Sequence, residues 1–505
     1  MLTKGEITCN LPLFYYMKKL KFIFFSFALF TFSFLPFKLF PLAFISLIPL
    51  FTALEGLSKI KKTLILLAFF YLFWIIHTFW ILNMEVEPGV EKWLILGLIF
   101  LPLYMSVFNV VPLLYTESRF SWLLTPSLWI LFEFIRGRGD TGFPWMPIAS
   151  TQLYNPAFRM LARIGGIYLI GWLILLFNVL LYLYLKKRKL GILITWISLL
   201  LLLHLGGLYL YLRPENSSEK IKVAVFQPNV LPKEEYDPKE WEETAQAFNE
   251  FYKRINEKVE LIVFSESALP GYFRFSLREQ NLVKKISKKS GAYILLGSTD
   301  VQVEKGERIL YNTAFLVKED KIVAKYFKTH LVPFGEWLPF EDKFSFLQKL
   351  EFGQGDYRPG KSLTPLEVNG KSFGILICFE SLFPEITKSF VLNGAQFLVN
   401  ITNDGWYGKS LGPVEHFELL RYRAIESERF VIRSAKTGIS AIIDSKGRVL
   451  KRIGLFKRGY FIYEVPLKNN FTPYTRYGDI IVYLAFLIVL SILVYNKLGS
   501  GGRND

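Results

Sequence analysis

The chain has 505 residues, 52% of them hydrophobic and 17% aromatic with 48 Phe, and a formal net charge of +17 at pH 7. That length exceeds one ordinary domain, and that composition suits a membrane protein. With only two cysteines, Cys9 and Cys378, the chain has no basis for a disulfide framework.

Apolar runs near 22–35 and 39–54, split by Pro36 and Lys38, predict a tight helical pair, with one broken helix as the alternative. Runs near 64–83, 93–115, 164–185, 190–212 and 480–495 are each long enough to span a bilayer, and a shorter run lies near 120–135. About eight membrane helices are therefore expected, seven in residues 1–212 and the last in 480–505, with a polar domain over 213–479 inserted before it. The start reads as a span and not as a cleaved signal, because more spans follow and no small-residue cleavage site stands out. MKKLKFIFF, from Met17, also has the texture of an amino terminus. Lys18, Lys19 and Lys21, then Lys59, Lys61 and Lys62, then Lys186, Lys187, Arg188 and Lys189 fall on one side if the count is eight. Glu85, Glu87 and Glu91 fall on the other. The positive-inside bias then puts both termini in the cytoplasm and 213–479 outside.

Much of the positive charge is thus topology, and no nucleic-acid partner is expected. Lys284, Lys285, Lys288 and Lys289 read as a solvated helix face, with anionic head groups as the alternative. Glu133 is the clearest intramembrane charge and no repeat relates the two halves, so transport is poorly supported. No His, Cys and carboxylate cluster has ligand spacing, so no metal is expected.

From residue 222 short β-like runs alternate with charged amphipathic stretches. VAVFQPNV, LIVFSES, YILLGS, NTAFLV, FGILICF, FLVNITN and SAIIDSKG read as strands, and 239–258, 279–290 and 413–430 as helices. Such alternation predicts an α/β domain with buried sheets covered by helices. Asp444 to Gly447 reads as a hairpin turn, so some pairing is antiparallel.

Three segments place ionisable residues where apolar runs stop: Glu266 in VFSESALP, Lys328 and Glu336 in YFKTHLVPFGEWLP, Cys378 and Glu380 in ILICFE. Singly these are a capping acid, a solvated lysine and a buried thiol. Together they are the parts of an acyl-transfer site. The attacking species is a thiolate, a carboxylate raised by apolar surroundings can take its proton, and an ammonium with the amide after the cysteine can hold an oxyanion.

These segments resemble the Glu–Lys–Cys triad of the nitrilase (carbon–nitrogen hydrolase) superfamily. With the membrane helices, the whole chain resembles its membrane-bound branch, the apolipoprotein N-acyltransferases. RGRGDTGFPWMPIASTQLYNP, YFKTHLVPFGEWLP, CFESLFPE, NITNDGWYGKS and RAIESERFVIRSAKTGISAIID follow one another in that family's order. The resemblance implies an α-β-β-α sandwich, with Glu266 as general base, Lys328 as oxyanion-stabilising cation and Cys378 as nucleophile. It implies supporting roles for Glu336, Glu380 and Asn312, and substrate contacts at Tyr236, Phe379, Trp406 and Phe346. Two positions depart from the family pattern: Lys436 where Asn is usual, and Tyr236 where Trp is common.

The implied reaction passes an acyl chain from a membrane phospholipid to Cys378 and then to the amino-terminal amine of a diacylglyceryl-modified lipoprotein. It needs no cofactor and is expected of a monomer in the inner membrane of a two-membrane bacterium. GYFRF (271–275), FSFLQKLEF (344–352) and Trp406–Tyr407 could form a lipid-facing entrance, or be ordinary core. A lid over Cys378 would limit thioester hydrolysis. The triad alone does not separate this transferase from a membrane-tethered amidase. A Cys–His protease using His330 or His416 fits the Glu and Lys context poorly.

Overall fold

The computed structural model describes residues 11–84, 91–215, 217–231, 238–339 and 356–501. Tyr236, Phe346 and the segment 344–352 lie outside them. The first part of the chain is helical: α1 (Leu11–Ser33), a 3-10 turn leading into α2 (Ile48–Leu54), α3 (Lys59–Thr78), α4 (Glu91–Leu113), α5 (Ser121–Arg136), α6 (Ala162–Lys187) and α7 (Leu190–Leu212). Pro36 and Lys38 fall in the turn that separates the first pair.

The polar part then runs β1 (Lys220–Gln227), α8 (Pro238–Arg254), β2 (Leu261–Val263), α9 (Leu277–Ser290), β3 (Tyr293–Glu304), β4 (Glu307–Lys318), β5 (Lys321–Phe327), β6 (Leu366–Val368) and β7 (Lys371–Ile377). It continues through α10 (Pro384–Leu392), β8 (Phe397–Thr402), α11 (Gly412–Ser427), β9 (Val431–Ala435), β10 (Ser440–Ile443), β11 (Val449–Ile453), β12 (Gly459–Pro466) and α12 (Pro473–Tyr477) to α13 (Ile480–Gly501).

All eight apolar runs fold as helical segments, but they are not equal. Lys59–Asn83, Glu91–Leu113, Phe158–Lys187, Leu190–Leu212 and Ile480–Leu498 are long and apolar enough to cross a membrane, judged by length and composition. The three shorter runs differ: α1 carries Lys18, Lys19 and Lys21, Phe40–Leu54 is a short apolar piece, and α5 has 16 residues.

The strands form two six-stranded sheets, β12-β1-β2-β3-β4-β5 and β11-β10-β9-β8-β7-β6. Each has a parallel centre, β1/β2/β3 or β7/β8/β9, flanked by antiparallel pairs. The period of two sorts the side chains. Ile221, Val223 and Val225 of β1 join the core shared with the second sheet, whereas Ala224 and Phe226 join Phe248, Phe251 and Val283 in the layer that includes α8 and α9. Each such buried Val, Ile or Phe stabilises the fold by roughly 1.5–3 kcal/mol. The expected hairpin at Asp444–Gly447 joins antiparallel β10 and β11, and Gly447 supplies the left-handed turn residue (φ 73°).

Helix α11 is the seam between the two parts, and nearly all of it is buried. Glu415 accepts from Trp145 Nε1 (2.7 Å) and faces His77 Nδ1 (3.1 Å). Glu418 accepts from the Tyr154 hydroxyl (2.6 Å), and Glu426 from the backbone N–H of Ile167 (3.1 Å). Acids of a stretch that reads in sequence simply as a charged helix are therefore ligands for the apolar region.

Gly297 of β3 lies against the chain at Glu266: a Cβ there would stand 2.6 Å from Glu266 Cα. Backbone cannot swing aside as a side chain can, so Gly297→Ala should cost about 1–3 kcal/mol. Thermal unfolding of the detergent-solubilised protein checks this, and an unchanged Tm would show that the strands part freely.

Candidate active site

The parallel strands of both sheets end at one place. Glu266 follows β2, Cys378 follows β7 and Asn403–Asp404 follow β8, so each chain turns away just where its core strand stops. Lys328 follows β5, and its backbone N–H is held by the carbonyl of Asn312 on β4 (2.9 Å). Ligand sites in α/β folds collect at such carboxyl ends.

Four of the expected residues meet there. Lys328, 1% exposed, donates from Nζ to Glu336 Oε1 (2.8 Å) and lies 3.8 Å from Glu266 Oε1. Asn312 Nδ2 bridges the same two oxygens, 2.8 Å from each. The remaining oxygens are also filled: Glu266 Oε2 accepts from Asn403 N (2.8 Å), and Glu336 Oε2 from Val332 N (2.7 Å). Burial lifts the Glu266 carboxyl above its ordinary value, against the pull of Lys328. Burial works against the Lys328 charge too, but Glu336, Glu266 and Cys378 outweigh it, so the ammonium is held more tightly than usual.

Cys378 opens a 3-10 turn, is 8% exposed and has a left-handed backbone (φ 49°). A non-glycine residue there is uncommon and strained. Burial, then the charge of Glu266, pushes its thiol well above the free value, with Lys328 and a hydrogen bond to the Thr402 side chain opposing.

Glu380 stands apart from these groups. Its Oε1 accepts from the Tyr326 hydroxyl (2.6 Å), Thr329 N (2.7 Å) and Thr329 Oγ1 (2.8 Å), and its Oε2 from Ile377 N (2.8 Å). It pins the loop after Lys328 to the strand before Cys378. Phe379 is buried against Phe143 and Phe383, with ring centroids 6.1 and 5.1 Å away. Trp406 is half-buried in the turn Asp404–Tyr407, and its neighbour Tyr407 packs on Trp80 at 4.9 Å. His330 lies 3.8 Å from the Phe383 ring, and burial with the Lys328 charge pulls it down to about 4. The unusual Lys436 is paired with Glu240 (2.9 Å) and buried.

Sequence reasoning missed a second buried array behind Cys378. Arg433 Nη2 donates to Asp404 Oδ2 (2.7 Å), and Asp404 Oδ1 accepts from Thr402 Oγ1 and from His416 Nδ1, both at 2.9 Å. Asp404 stands at a strand end, the signal that exposed the other residues. His416 and Arg433 sit inside a helix and a strand, where no such signal exists.

Two family models divide the chain. Residues 222–469 match the carbon–nitrogen hydrolase model, and residues 26–180 match the apolipoprotein N-acyltransferase N-terminal domain. The fold and these matches define a carbon–nitrogen hydrolase domain joined to an apolar helical region. The apolipoprotein N-acyltransferase of Geobacter metallireducens is 32% identical over 445 residues, 83% of this chain and 84% of its own. That of Aquifex aeolicus is 32% identical over 374 residues (73% and 81%), and that of Chlorobaculum tepidum 28% over 486 residues (87% and 89%). The chain belongs to the apolipoprotein N-acyltransferase family.

The charge arithmetic of the cluster gives one prediction. Lys328→Met removes the ammonium between Glu266 and Glu336 and should destabilise by about 3–5 kcal/mol, as breaking a buried pair does. Adding Glu336→Gln should recover part of the loss, and additive Tm changes would refute the coupling.

A second prediction concerns the loop after Glu266. Glu279 is fully buried, its Oε1 accepts from Gly271 N (2.8 Å), and burial raises its carboxyl to about 6. A raised carboxyl favours the protonated fold, so the associated stability, about 2 kcal/mol, is complete below the unfolded value and lost as pH rises through about 6. Glu279→Gln should therefore raise Tm at pH 8 relative to wild type and not at pH 4.5. Equal Tm differences at both pH values would contradict it.

Proposed function

We propose that this chain transfers a fatty acyl group from a membrane phospholipid to the amino-terminal amine of diacylglyceryl-modified lipoproteins, in two steps through a Cys378 thioester. The observation that carries this reading is the meeting of Glu266, Lys328 and Cys378 at the strand ends of two facing sheets. Membership of a family whose curated relatives bear this name supports it.

In the first step Glu266 takes the thiol proton and the thiolate attacks the ester carbonyl. The oxyanion is met by the Lys328 ammonium and the N–H of Phe379. Collapse expels the lysophospholipid alkoxide, which takes the proton from Glu266. In the second step the amine attacks the thioester, its proton passes to Glu266 and the thiolate leaves. Dividing one transfer into two is the gain of covalent catalysis. Glu336 and Asn312 hold Lys328 and Glu266 in place throughout, and Glu380 braces the loops that carry Lys328 and Cys378.

Both substrates are lipid-anchored, so the thiol must work at the membrane surface. The reading therefore takes 1–212 as the membrane domain, 213–479 as a periplasmic catalytic domain and 480–505 as the closing helix, with both termini cytoplasmic. The reading takes the enzyme as a monomer.

Intact mass of the purified protein after incubation with phospholipid is the direct test. Wild type should gain an acyl-sized, hydroxylamine-labile adduct that Cys378→Ala does not, and a diacylated lipopeptide should discharge it. Glu266→Gln should slow adduct formation at least about 100-fold. No adduct, with turnover of small soluble amides instead, would replace this reading by the tethered amidase.

A further inference from the structure

The Cys378 turn has a second anchor that the acyl-transfer chemistry above does not use. His416 Nε2 lies 3.1 Å from the carbonyl oxygen of Cys378, which opens the turn, and 2.8 Å from Ser381 Oγ within it. Its Nδ1 faces Asp404 Oδ1 at 2.9 Å, and a carboxylate only accepts, so Nδ1 carries a proton. When Nε2 is protonated it donates to the carbonyl, and when it is bare it accepts from the Ser381 hydroxyl. Burial and the Arg433 charge lower the ring's pKa, so the neutral ring is favoured and the Ser381 hydroxyl is the bond that ties it to the turn.

The ring itself cannot drift. It is 1% exposed and stacked on Trp145 (centroids 6.2 Å apart, planes at 26°). Asp404, fully buried, is fixed in turn by Arg433, which donates from Nε to the Ile439 carbonyl (3.1 Å) and also to Asn400 Oδ1. Burial opposes the Asp404 charge, yet Arg433 and then His416 hold its carboxyl well below the usual range. Glycine at 438 keeps room for this carboxylate, since a Cβ there would lie 2.2 Å from Asp404 Oδ2. Asp404 also accepts from Thr402 Oγ1 at 2.9 Å, so its carboxylate is fixed from three sides.

The geometry of a trans peptide makes this consequential. Its C=O and N–H point in opposite directions, so a turn anchored through Ser381, with the Cys378 carbonyl against the ring, fixes where the N–H of Phe379 points. We propose that His416, oriented by Asp404 and Arg433, is a positioning residue that sets the direction of the Phe379 N–H and so aims an oxyanion donor at the acyl group on Cys378. This rests on the thioester reading.

The test is the single-turnover rate of Cys378 acylation by phospholipid in detergent micelles, followed by intact mass, for wild type, His416→Leu and His416→Gln, with Tm measured alongside. Losing an oxyanion donor slows reactions by about 10²–10³-fold, and misaiming one should cost roughly 10–100-fold. His416→Leu should show that loss at saturating phospholipid, with the half-saturating concentration unchanged. His416→Gln, whose amide oxygen can still accept from the Ser381 hydroxyl, should return to within about tenfold of wild type. If His416→Leu does not fold, His416→Asn, too short to reach Ser381, should give the same loss. A leucine variant acylating within threefold of wild type, a changed half-saturation alone, or a loss that follows Tm and is not rescued by Gln would overturn the assignment. Those results, with a normal wild-type adduct, leave the acyl-transfer reading standing, whereas a wild type that forms no adduct removes both.

Discussion

One ammonium between two buried carboxylates governs this site. Lys328 lies 2.8 Å from Glu336 and 3.8 Å from Glu266, and Asn312 clamps both acids from the other side. With the thiol neutral and both acids ionised the cluster carries one negative charge, and ionising Cys378 outright would add a second in a site nearly closed to water. Both Glu266 and Cys378 are accordingly raised. Moving a proton from sulfur to Glu266 leaves the total unchanged. Proton exchange within the cluster is therefore easier than loss of the proton to solvent, and this favours a paired base and nucleophile over a free thiolate.

The fold serves that constraint by bringing strand ends together from far along the chain. Glu266 follows a strand of one sheet, Cys378 and Asn403 follow strands of the other, and the Asn403 N–H donates to Glu266 across the boundary at 2.8 Å. Core strands fix these positions because their side chains are packed on both faces. Glu380 uses the same logic on a loop: its carboxylate joins the residues after Lys328 to the end of β7, so the cation and the nucleophile share one brace.

Much of this was legible in the sequence for a definite reason. Where a run such as FGILI stops at a cysteine and a glutamate, burial and chemistry change within one residue, and the change marks the site. Seven strands were readable as apolar runs. β5 was not, because KIVAKYF mixes lysines with apolar residues at an exposed sheet edge, and β11 (VLKRI) hides for the same reason. β9 carries Arg433 at its middle, an unlikely residue for a fully buried strand until Asp404 is seen beside it. Helix α11 was readable as a charged helix, but nothing local said where its acids and arginines point. Only the tertiary structure shows that Glu415, Glu418 and Glu426 face the apolar region. A pair such as His416 and Arg433, distant in sequence and each inside regular structure, leaves no local mark.

Glu415 and His416 are neighbours with opposite allegiances. Glu415 gives its two oxygens to His77 and Trp145 of the helical region, and the next residue touches the carbonyl of Cys378. A fragment trimmed to its water-soluble part would keep that carboxylate and lose both of its partners, stranding a charge one peptide bond from the array behind the nucleophile. Inhibitor screens run on such a fragment would sample a distorted target, so compounds against this protein are best sought with the whole chain in lipid or detergent.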